Sequence, residues 1–290
     1  ASIGKFFKLM NDIDLSLFLQ DAVDGWTPIS DFWGTLDGGG FVIRNFWVNK
    51  VTQGNAALFD NFHGGGILNL GLIVSQGKSV TAANGDAGGF MANAFNNFND
   101  YVSITNSYVI GNISGANRAG GLAGYAGYAR MSECFTEGNI SGKYSGGLVG
   151  YAHFNDITDC YSLANVYGKC FDVFYYNAGG LVGFAETDGG MNFENCFSAG
   201  SVQGDNISSN AFAGGFIGFL SAVNSTDISN CYFDKDKSGQ ASGFGYESSF
   251  FSNTINAEST ARMKRQSTFN GWNFVTIWSI NEGVSYPYFR

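Results

Sequence analysis

Charge, proline and histidine are all scarce in this chain of 290 residues. Charged residues make up 13%, which is about half the usual share. Proline occurs twice and histidine twice, and the net charge is −9. Because no basic patch is available to neutralise phosphates, we expect no nucleic-acid partner. No apolar run approaches the ~18 residues needed to cross a bilayer, so we expect no membrane span.

The motifs of common catalytic and cofactor sites are also missing. There is no Gly-x-Ser-x-Gly turn, no P-loop, no dinucleotide-binding fingerprint and no Cys/His spacing for zinc. His63 and His153 each have an acidic neighbour, Asp60 and Asp156, but we interpret both histidines as surface turn residues. We therefore predict no catalytic residue, no cofactor and no enzymatic activity.

Glycine, in contrast, is abundant, with 42 residues. A pair of glycines followed by apolar residues recurs with a period of roughly 30 residues. The first glycine of each pair is Gly88, Gly120, Gly146, Gly179 or Gly214. A second element alternates with it, as in Asn106–Gly115 (NSYVIGNISG) and Glu133–Gly142 (ECFTEGNISG). Such a period indicates a repeat architecture whose units bury their apolar faces only by stacking on neighbours.

The repeats differ in length, which favours one of two all-β arrangements. Stacked hairpins would need regular two-residue turns, whereas a parallel β-helix accepts insertions at its corners. The insertions are Gly168–Asn177, Glu186–Asn192 and Gly204–Phe212. We predict a right-handed parallel β-helix, a β-solenoid, with about three short strands per coil.

The prediction treats the chain as one domain in three parts. Residues 1–86 form N-terminal coils, residues 87–239 form the repeats, and residues 240–290 form a C-terminal cap. We place a short helix in the cap, at Ala257–Gln266, because that stretch is polar and charged.

The strand Gly147–Ala152 has apolar residues at both alternating positions. Leu148 would face one side, and Val149 and Tyr151 the other. Either corner insertions or another subunit must then cover the outer face. The candidate interaction residues are the strand aromatics Tyr125, Tyr151, Phe184 and Phe219, and the insertion aromatics Phe171, Phe174, Tyr175 and Tyr176. The insertion aromatics could stack on sugars, dock on a neighbouring subunit or fold back over the strands.

Four of the five cysteines occupy one position of the repeat. They are Cys134, Cys160, Cys196 and Cys231, with Ser107 at that position in the first repeat. Stacked coils would place them about 4.8 Å apart, which a disulfide tolerates. We favour buried thiols that act as small fillers, since serine can replace them. Cys170 lies off this column.

Two further patterns concern ligands and modification. Asp234, Asp236 and Ser238 begin like a calcium loop, but its twelfth position would be Gly245 instead of glutamate. They are therefore a weak calcium candidate, and a charged turn is the alternative. Asn112, Asn139, Asn206 and Asn224 begin Asn-x-Ser/Thr sequons. These are possible N-glycosylation sites, or turn residues alone.

The repeats resemble the GLUG motif of large bacterial and archaeal surface proteins. The resemblance rests on Gly146–Ala152 (GGLVGYA) and Gly179–Ala185 (GGLVGFA), each followed by a Cys-aromatic-Ser strand. The opening from Phe7 to Asn45 and the close from Met263 to Tyr288 resemble the same group, which includes filamentous-haemagglutinin-like adhesins and IgA-specific metallopeptidases. The resemblance implies a β-helix on an extracellular protein. It implies no protease activity, because the His-Glu-x-x-His motif of the peptidases is missing.

Two functional hypotheses follow. The first is a non-enzymatic structural or adhesive module of a microbial cell surface, which assembles with itself or binds other surface proteins or glycans. The second is a carbohydrate-active β-helix enzyme, a polysaccharide lyase or hydrolase. Its best acidic cluster is Asp172, Glu186 and Asp188 in adjacent insertions, since such chemistry needs paired carboxylates about 5–10 Å apart.

Overall fold

The computed structural model describes residues 3–95, 101–170, 176–187, 190–205, 211–222, 226–248 and 254–290. Over these ranges the chain winds into a parallel β-helix, in which each strand pairs with its counterpart from the next coil. A complete coil, such as residues 65–94, contributes one strand to each of five parallel sheets. We number the sheets I to V in the order in which the chain visits them.

Sheets I and II follow each other directly along every coil. Sheet I contains β1 (Phe6–Lys8), β4 (Thr35–Asp37), β8 (Gly65–Leu68), β13 (Val102–Thr105), β18 (Ala129–Ser132), β23 (Asp156–Thr158), β28 (Met191–Glu194) and β33 (Thr226–Ser229). Sheet II contains β2 (Ile13–Asp14), β5 (Val42–Phe46), β9 (Gly71–Val74), β14 (Tyr108–Ile110), β19 (Phe135–Glu137), β24 (Tyr161–Ser162), β29 (Phe197–Ser198), β34 (Tyr232–Asp234) and β36 (Asn256–Glu258).

Sheets III, IV and V complete the coil. Sheet III contains β6 (Val48–Lys50), β10 (Val80–Ala82), β15 (Ile113–Gly115), β20 (Asn139–Gly142), β25 (Asn165–Gly168) and β30 (Val202–Gly204). Sheet IV contains β11 (Ala87–Gly88), β16 (Arg118–Gly120), β21 (Tyr144–Gly146), β26 (Asn177–Gly179) and β31 (Phe212–Gly214). Sheet V contains β3 (Ile29–Phe32), β7 (Phe59–Phe62), β12 (Met91–Ala94), β17 (Ala123–Gly127), β22 (Val149–His153), β27 (Val182–Thr187), β32 (Ile217–Ala222) and β35 (Phe244–Glu247).

The corner between sheets I and II depends on residues that accept a left-handed backbone. Asn106, Asn195 and Asn230 have φ of 47°, 52° and 51°, and Glu133 and Asp159 take the same conformation in the coils between them. Asparagine and aspartate adopt this region more readily than other side chains. The residue after this corner is the cysteine position, which explains why Asn-Cys and Asp-Cys recur.

The glycine pair marks the tightest corner, between sheets IV and V. A Cβ atom on Gly146 would lie 2.0 Å from the carbonyl oxygen of Val149 and 2.5 Å from the amide nitrogen of Gly183. The same clash recurs at Gly120, Gly179 and Gly214. Glycine is required because a side chain at this corner would clash with the backbone of its own coil and of the next coil. The glycine pair therefore recurs once in every repeat coil.

This corner also corrects two expectations. Up to five short strands form each coil, instead of about three. The glycine pair accounts for one of the additional strands, because it divides one apparent strand into two. Leu148 and Val149 are both fully buried in the interior, so Val149 does not share an outer face with Tyr151. Strict alternation fails at Gly150, where a Cβ would lie 2.7 Å from the amide nitrogen of Ala119.

The C-terminal part also differs from the prediction. The short helix α1 is at Lys235–Ser238 and not at 257–266. There the chain completes β36 at Glu258, and turns lead to a 3₁₀ helix at Gln266–Thr268. β35 and β36 extend sheets V and II beyond residue 239. The remaining tail, residues 259–290, contains the antiparallel pair β37 (Trp278–Ser279) and β38 (Tyr288–Phe289) and packs on the outside of sheet II.

Candidate interaction surface

A line of eight rings runs along the outside of sheet V. Neighbouring ring centroids lie between 4.4 and 6.3 Å apart. We call this line the aromatic stripe. Its members, in order, are Trp33, His63, Phe95, Tyr125, Tyr151, Phe184, Phe219 and Tyr246.

Strand register produces the stripe. The last five rings occupy one register position of sheet V, from Tyr125 to Tyr246. Trp33, His63 and Phe95 lie two positions further along their coils. The two columns join at Gly127, where a Cβ would meet the Tyr125 ring at 3.0 Å. Because Gly127 has no side chain, the Tyr125 ring can lean over it and reach Phe95, 5.5 Å away.

The stripe is partly open to solvent. Trp33, Phe95 and Tyr246 are each 45% exposed, and the rings between them are half-buried. Tyr144 and Phe212 of sheet IV pack beside it, nearly perpendicular to Phe184 and Phe219. Within the described ranges, the other rings that contact the stripe lie on sheet IV.

Polar groups flank the rings. The Arg118 guanidinium lies 4.6 Å from the Tyr125 ring centroid and donates two hydrogen bonds to Asp86, at 2.9 and 2.6 Å. The Tyr151 hydroxyl donates to Glu186. Burial, together with this hydrogen bond, raises the pKa of Tyr151, so the hydroxyl keeps its proton. The stripe is thus an apolar ridge with fixed charged neighbours.

A second ladder of rings, on the outside of sheet II, is largely covered by the tail. Its members are Tyr108, Phe135, Tyr161, Phe197 and Tyr232, and the first four stack with centroids 4.9 Å apart. Tyr161, Phe197 and Tyr232 are 4%, 0% and 6% exposed, because tail residues including Trp272, Trp278 and Phe289 cover them. We call this the covered ladder.

The predicted interaction residues divide into three groups. Tyr125, Tyr151, Phe184 and Phe219 all belong to the stripe. Phe171, Phe174 and Tyr175 lie outside the described residues. The assignment of Tyr176 to the surface is corrected: it is 4% exposed, and its ring fills the space above Gly168 and Gly204, where a Cβ would lie 2.1 Å from it.

Among the described residues, the acidic and histidine candidates have structural partners of their own. Asp172 and Asp188 lie outside the described residues, and Glu186 accepts the hydrogen bond of Tyr151. His63 pairs with Asp31 of the preceding coil, at 3.0 Å, instead of Asp60. Asp60 accepts from Asn55. Asp156 forms an exposed ion pair with Arg130 at 3.3 Å.

The calcium candidate has a different role. Asp234 is fully buried and caps α1 by accepting from the amides of Asp236 and Lys237. Its other oxygen accepts from the hydroxyls of Thr260 and Tyr286, at 2.7 and 2.6 Å. Ser238 accepts from the Gln240 amide. Since both Asp234 oxygens already have two protein donors, we correct this interpretation: Asp234 anchors the tail. The described residues contain no cluster of three or more acidic, histidine or cysteine side chains that could hold a metal.

The cysteine column has a function that the sequence reasoning missed. Cys134, Cys160, Cys196 and Cys231 are buried thiols without a disulfide. Each donates to the carbonyl oxygen two residues earlier, at 3.1–3.4 Å, as the Ser107 hydroxyl does at 2.8 Å. The position therefore satisfies a carbonyl at the left-handed corner, and serine replaces cysteine because it can donate too. Burial raises the pKa of Cys160 and Cys231.

Two of the four sequons are visible. Asn112 and Asn139 are exposed at neighbouring positions of successive coils, and the Asn139 amide donates to Asn112 at 2.7 Å. Asn165 continues this ladder with a bond to Asn139 at 3.1 Å. Asn206 and Asn224 lie outside the described residues. Glycosylation stays a prediction.

Sequence reasoning missed half of the stripe, namely Trp33, His63, Phe95 and Tyr246. The available signal was the register of the coils before and after the repeats. Aligning Phe59–His63 with Met91–Phe95 places His63 beside Phe95. Aligning Ile217–Phe219 with Phe244–Tyr246 places Tyr246 beside Phe219.

Comparison with known proteins supports the fold and the motif. The model of the GLUG motif matches residues 141–167. A crystal structure of a "putative immunoglobulin A1 protease" from Bacteroides ovatus superposes with a TM-score of 0.60 and 18% identity, over 100% of this chain and 87% of that one. At this identity the likeness concerns the fold. In the described part of the chain, no helix has the length and apolar character to span a membrane.

Two curated relatives are much longer than this chain. A "Putative Gly-rich membrane protein" of Evansella cellulosilytica is 41% identical over 56 residues, which are 18% of this chain and 6% of the relative. Halomucin of Haloquadratum walsbyi is 28% identical over 168 residues, which are 46% of this chain and 2% of the relative. The chain thus carries the GLUG motif on a parallel β-helix, and its repeats continue the pattern on both sides of the matched residues.

Proposed function

We propose that the chain is a non-enzymatic adhesive segment of an extracellular microbial surface protein, and that the aromatic stripe is its attachment surface. The observation that carries this proposal is the contrast between two ring ladders on one body. The chain covers the ladder on sheet II with its own tail, whereas three rings of the stripe are 45% exposed. Contiguous exposed apolar surface of this kind is typical of interaction sites.

The fold and the relatives support the extracellular part of the proposal. Stacked coils hold the rings of the stripe at fixed spacings, since each coil is fixed by its neighbours. The names of the relatives, a halomucin and a membrane protein, fit a location at the cell surface. The chain matches only 6% of the membrane protein and 2% of halomucin. We therefore propose that it acts as one segment of a longer surface protein.

A flow-chamber experiment tests adhesion. Microspheres coated with the wild-type chain pass over surfaces that carry bacterial cell-wall extract or mucin. We expect retention, and we expect the variant Tyr151→Ser/Phe184→Ser to lose most of it. Tyr167→Ser is the matched control, because Tyr167 is 40% exposed but lies on sheet III. Equal retention of all three proteins, or of none, contradicts the proposal.

The rival enzymatic function has its own measurement. A lyase or hydrolase releases unsaturated products or reducing ends from neutral and acidic polysaccharides. We expect neither signal to rise above that of heat-denatured protein. A rise that is lost in Glu186→Gln would replace the adhesive proposal with the enzymatic one.

Self-assembly is a second candidate function, favoured by the exposed rings of the aromatic stripe. Trp33, Phe95 and Tyr246 are each 45% exposed, and contiguous apolar surface of this kind can also pair copies of one chain. Light scattering and negative-stain microscopy test this, with oligomers expected for the wild type and monomers for Tyr151→Ser/Phe184→Ser.

A further inference from the structure

We infer that the aromatic stripe binds a single polypeptide segment rich in aromatic residues, as the chain's own tail is where it packs on the covered ladder. This inference rests on the proposed function and names the partner of the same surface. It follows from the orientation of the rings, from the dimensions of the stripe and from the way the covered ladder is covered.

The rings at one end of the stripe stack face to face. Phe184 and Phe219 have centroids 5.0 Å apart and planes within 6° of parallel, and Phe219 and Tyr246 are 4.8 Å apart at 26°. Side-by-side coplanar rings do not fit at such distances, so these rings stack face to face along the solenoid axis. Their faces contact neighbouring rings, and their edges point outward.

Outward edges select the chemistry of the partner. A sugar stacks its apolar face on the face of an aromatic ring, and along Phe184–Tyr246 those faces already contact each other. Ring edges carry partial positive charge, and they pack well against the faces of other aromatic rings in tilted or perpendicular geometry. A partner that supplies ring faces therefore fits the stripe better than a glycan.

The covered ladder shows this arrangement within the same molecule. Its rings stack along the axis in the same way, with planes 3–12° apart. The tail packs its own rings on their outward side at an angle. Trp278 and Phe289 both meet Tyr161 at 50°, and Trp272 meets Tyr232 at 70°. Tail residues including Trp272, Trp278 and Phe289 bury Tyr161, Phe197 and Tyr232 of this ladder.

The dimensions favour a single segment over a folded domain. Eight coils at the usual strand spacing give a stripe about 34 Å long, and two residues of strand give a width of about 7 Å. The product, about 240 Å², is far below the ~800 Å² that each partner buries in a stable protein–protein interface. One extended strand with aromatic side chains matches this shape.

The test uses a peptide taken from the chain's own tail. A fluorescein-labelled peptide of residues 269–290, which contains Trp272, Trp278 and Phe289, is titrated with the intact chain and followed by fluorescence anisotropy. We expect saturable binding that weakens at least tenfold in Tyr151→Ser/Phe184→Ser, and severalfold in Tyr246→Ser at the end of the stripe. Tyr167→Ser should bind like the wild type, and a peptide with its aromatic residues replaced by serine should not bind.

Several outcomes overturn the inference. Binding that the stripe variants leave unchanged would place the peptide elsewhere, for example by exchange with the tail on sheet II. Absence of binding, together with stripe-dependent retention in the flow chamber, would leave the adhesive function standing and remove the peptide as its partner. Stripe-dependent binding of a soluble neutral polysaccharide would assign the surface to glycans. Unchanged far-UV circular dichroism of the single variant Tyr246→Ser guards against misfolding.

Discussion

At the scale of single residues, the narrow corner between sheets IV and V makes the strongest demands. Alanine precedes the paired glycine in four coils and is buried in three of them, at Ala87, Ala119 and Ala178, while Ser145 takes that position in one coil. The Ser145 hydroxyl is buried and has no hydrogen-bond partner among the described residues. The paired glycine itself has no room for a side chain, so neighbouring positions of one motif tolerate change very differently.

Substitution of the central glycine should be severe. Gly146→Ala places a methyl group 2.0 Å from the Val149 oxygen, and overpacking against backbone cannot be relieved by a rotamer change. We expect a loss of about 3 kcal/mol or more of unfolding free energy. Urea denaturation measures it. Gly77→Ala is the control: its φ is +73° and the space is open, so it should cost only about 1–2 kcal/mol.

Substitution of the neighbouring serine should have the opposite sign. Ser145→Ala removes a buried hydroxyl without a partner and restores the residue found in other coils. We expect a gain of about 1 kcal/mol, seen as a higher urea midpoint at unchanged m-value. Ser162→Ala, at a buried serine that accepts from the Ala164 amide, should lower the midpoint. A lower midpoint for Ser145→Ala would show that its hydroxyl has a partner.

At the scale of elements, the tail is a separate layer held by a few polar anchors. Asp234 accepts hydrogen bonds from the hydroxyls of Thr260 and Tyr286. The indole of Trp278 donates to Asp159 at 3.0 Å, and that of Trp272 to the Asn230 carbonyl. These bonds join the tail to the left-handed corner, and stacked rings fill the space between them.

Loss of one anchor should weaken the tail measurably. Tyr286→Phe removes a donor to the buried Asp234 carboxylate while keeping the ring. We expect a loss of about 1–3 kcal/mol, together with faster hydrogen exchange in residues 259–290. Tyr288→Phe is the control, because Tyr288 is 37% exposed. Equal stability of both variants would mean that Asp234 is not the anchor.

The elements also show what the sequence could predict. The β-helix could be predicted from the glycine pairs and the Asn-Cys corners. The glycines avoid clashes within each coil, and the corner residues accept a left-handed backbone and donate a local hydrogen bond. The inward position of Val149 could not be predicted from alternation, since it depends on contact between Gly150 and another coil. The tail's position depends on pairs such as Trp278 and Asp159, which lie 119 residues apart. The stripe was only half predicted, because Trp33, His63 and Phe95 lie two positions beyond the register of Tyr125, and Tyr246 lies after the last glycine pair.

At the scale of the whole molecule, stability should fall in acid. Hydrogen bonds from Asn45 lower the pKa of Asp14, and those from Asn69 and the Gly39 amide lower the pKa of Asp37. A similar bond from Tyr167 lowers the pKa of Asp205. The folded chain therefore binds these protons less readily than the unfolded chain, whose aspartates titrate at about 3.9.

The sign of the effect follows from linkage. Stability from lowered carboxylate pKa values is fully present above the unfolded value and is lost as pH falls through the folded values. We expect a constant Tm from pH 7 to about 5 and a steep fall below about pH 4. Asp14→Asn/Asp37→Asn should flatten this fall, because asparagine can still accept at these positions. An unchanged acid limb would place the pH dependence in other groups.

The shared register of the stripe has a consequence for how such proteins change over generations. Each repeat coil brings one ring and its own corner residues, and within the solenoid it contacts the coils above and below. An in-frame duplication of a single coil in the gene lengthens the stripe by one ring and leaves the neighbouring junctions chemically unchanged. The length of the stripe and its number of rings therefore increase together, one coil at a time. The number of repeats is then the inherited property that determines both.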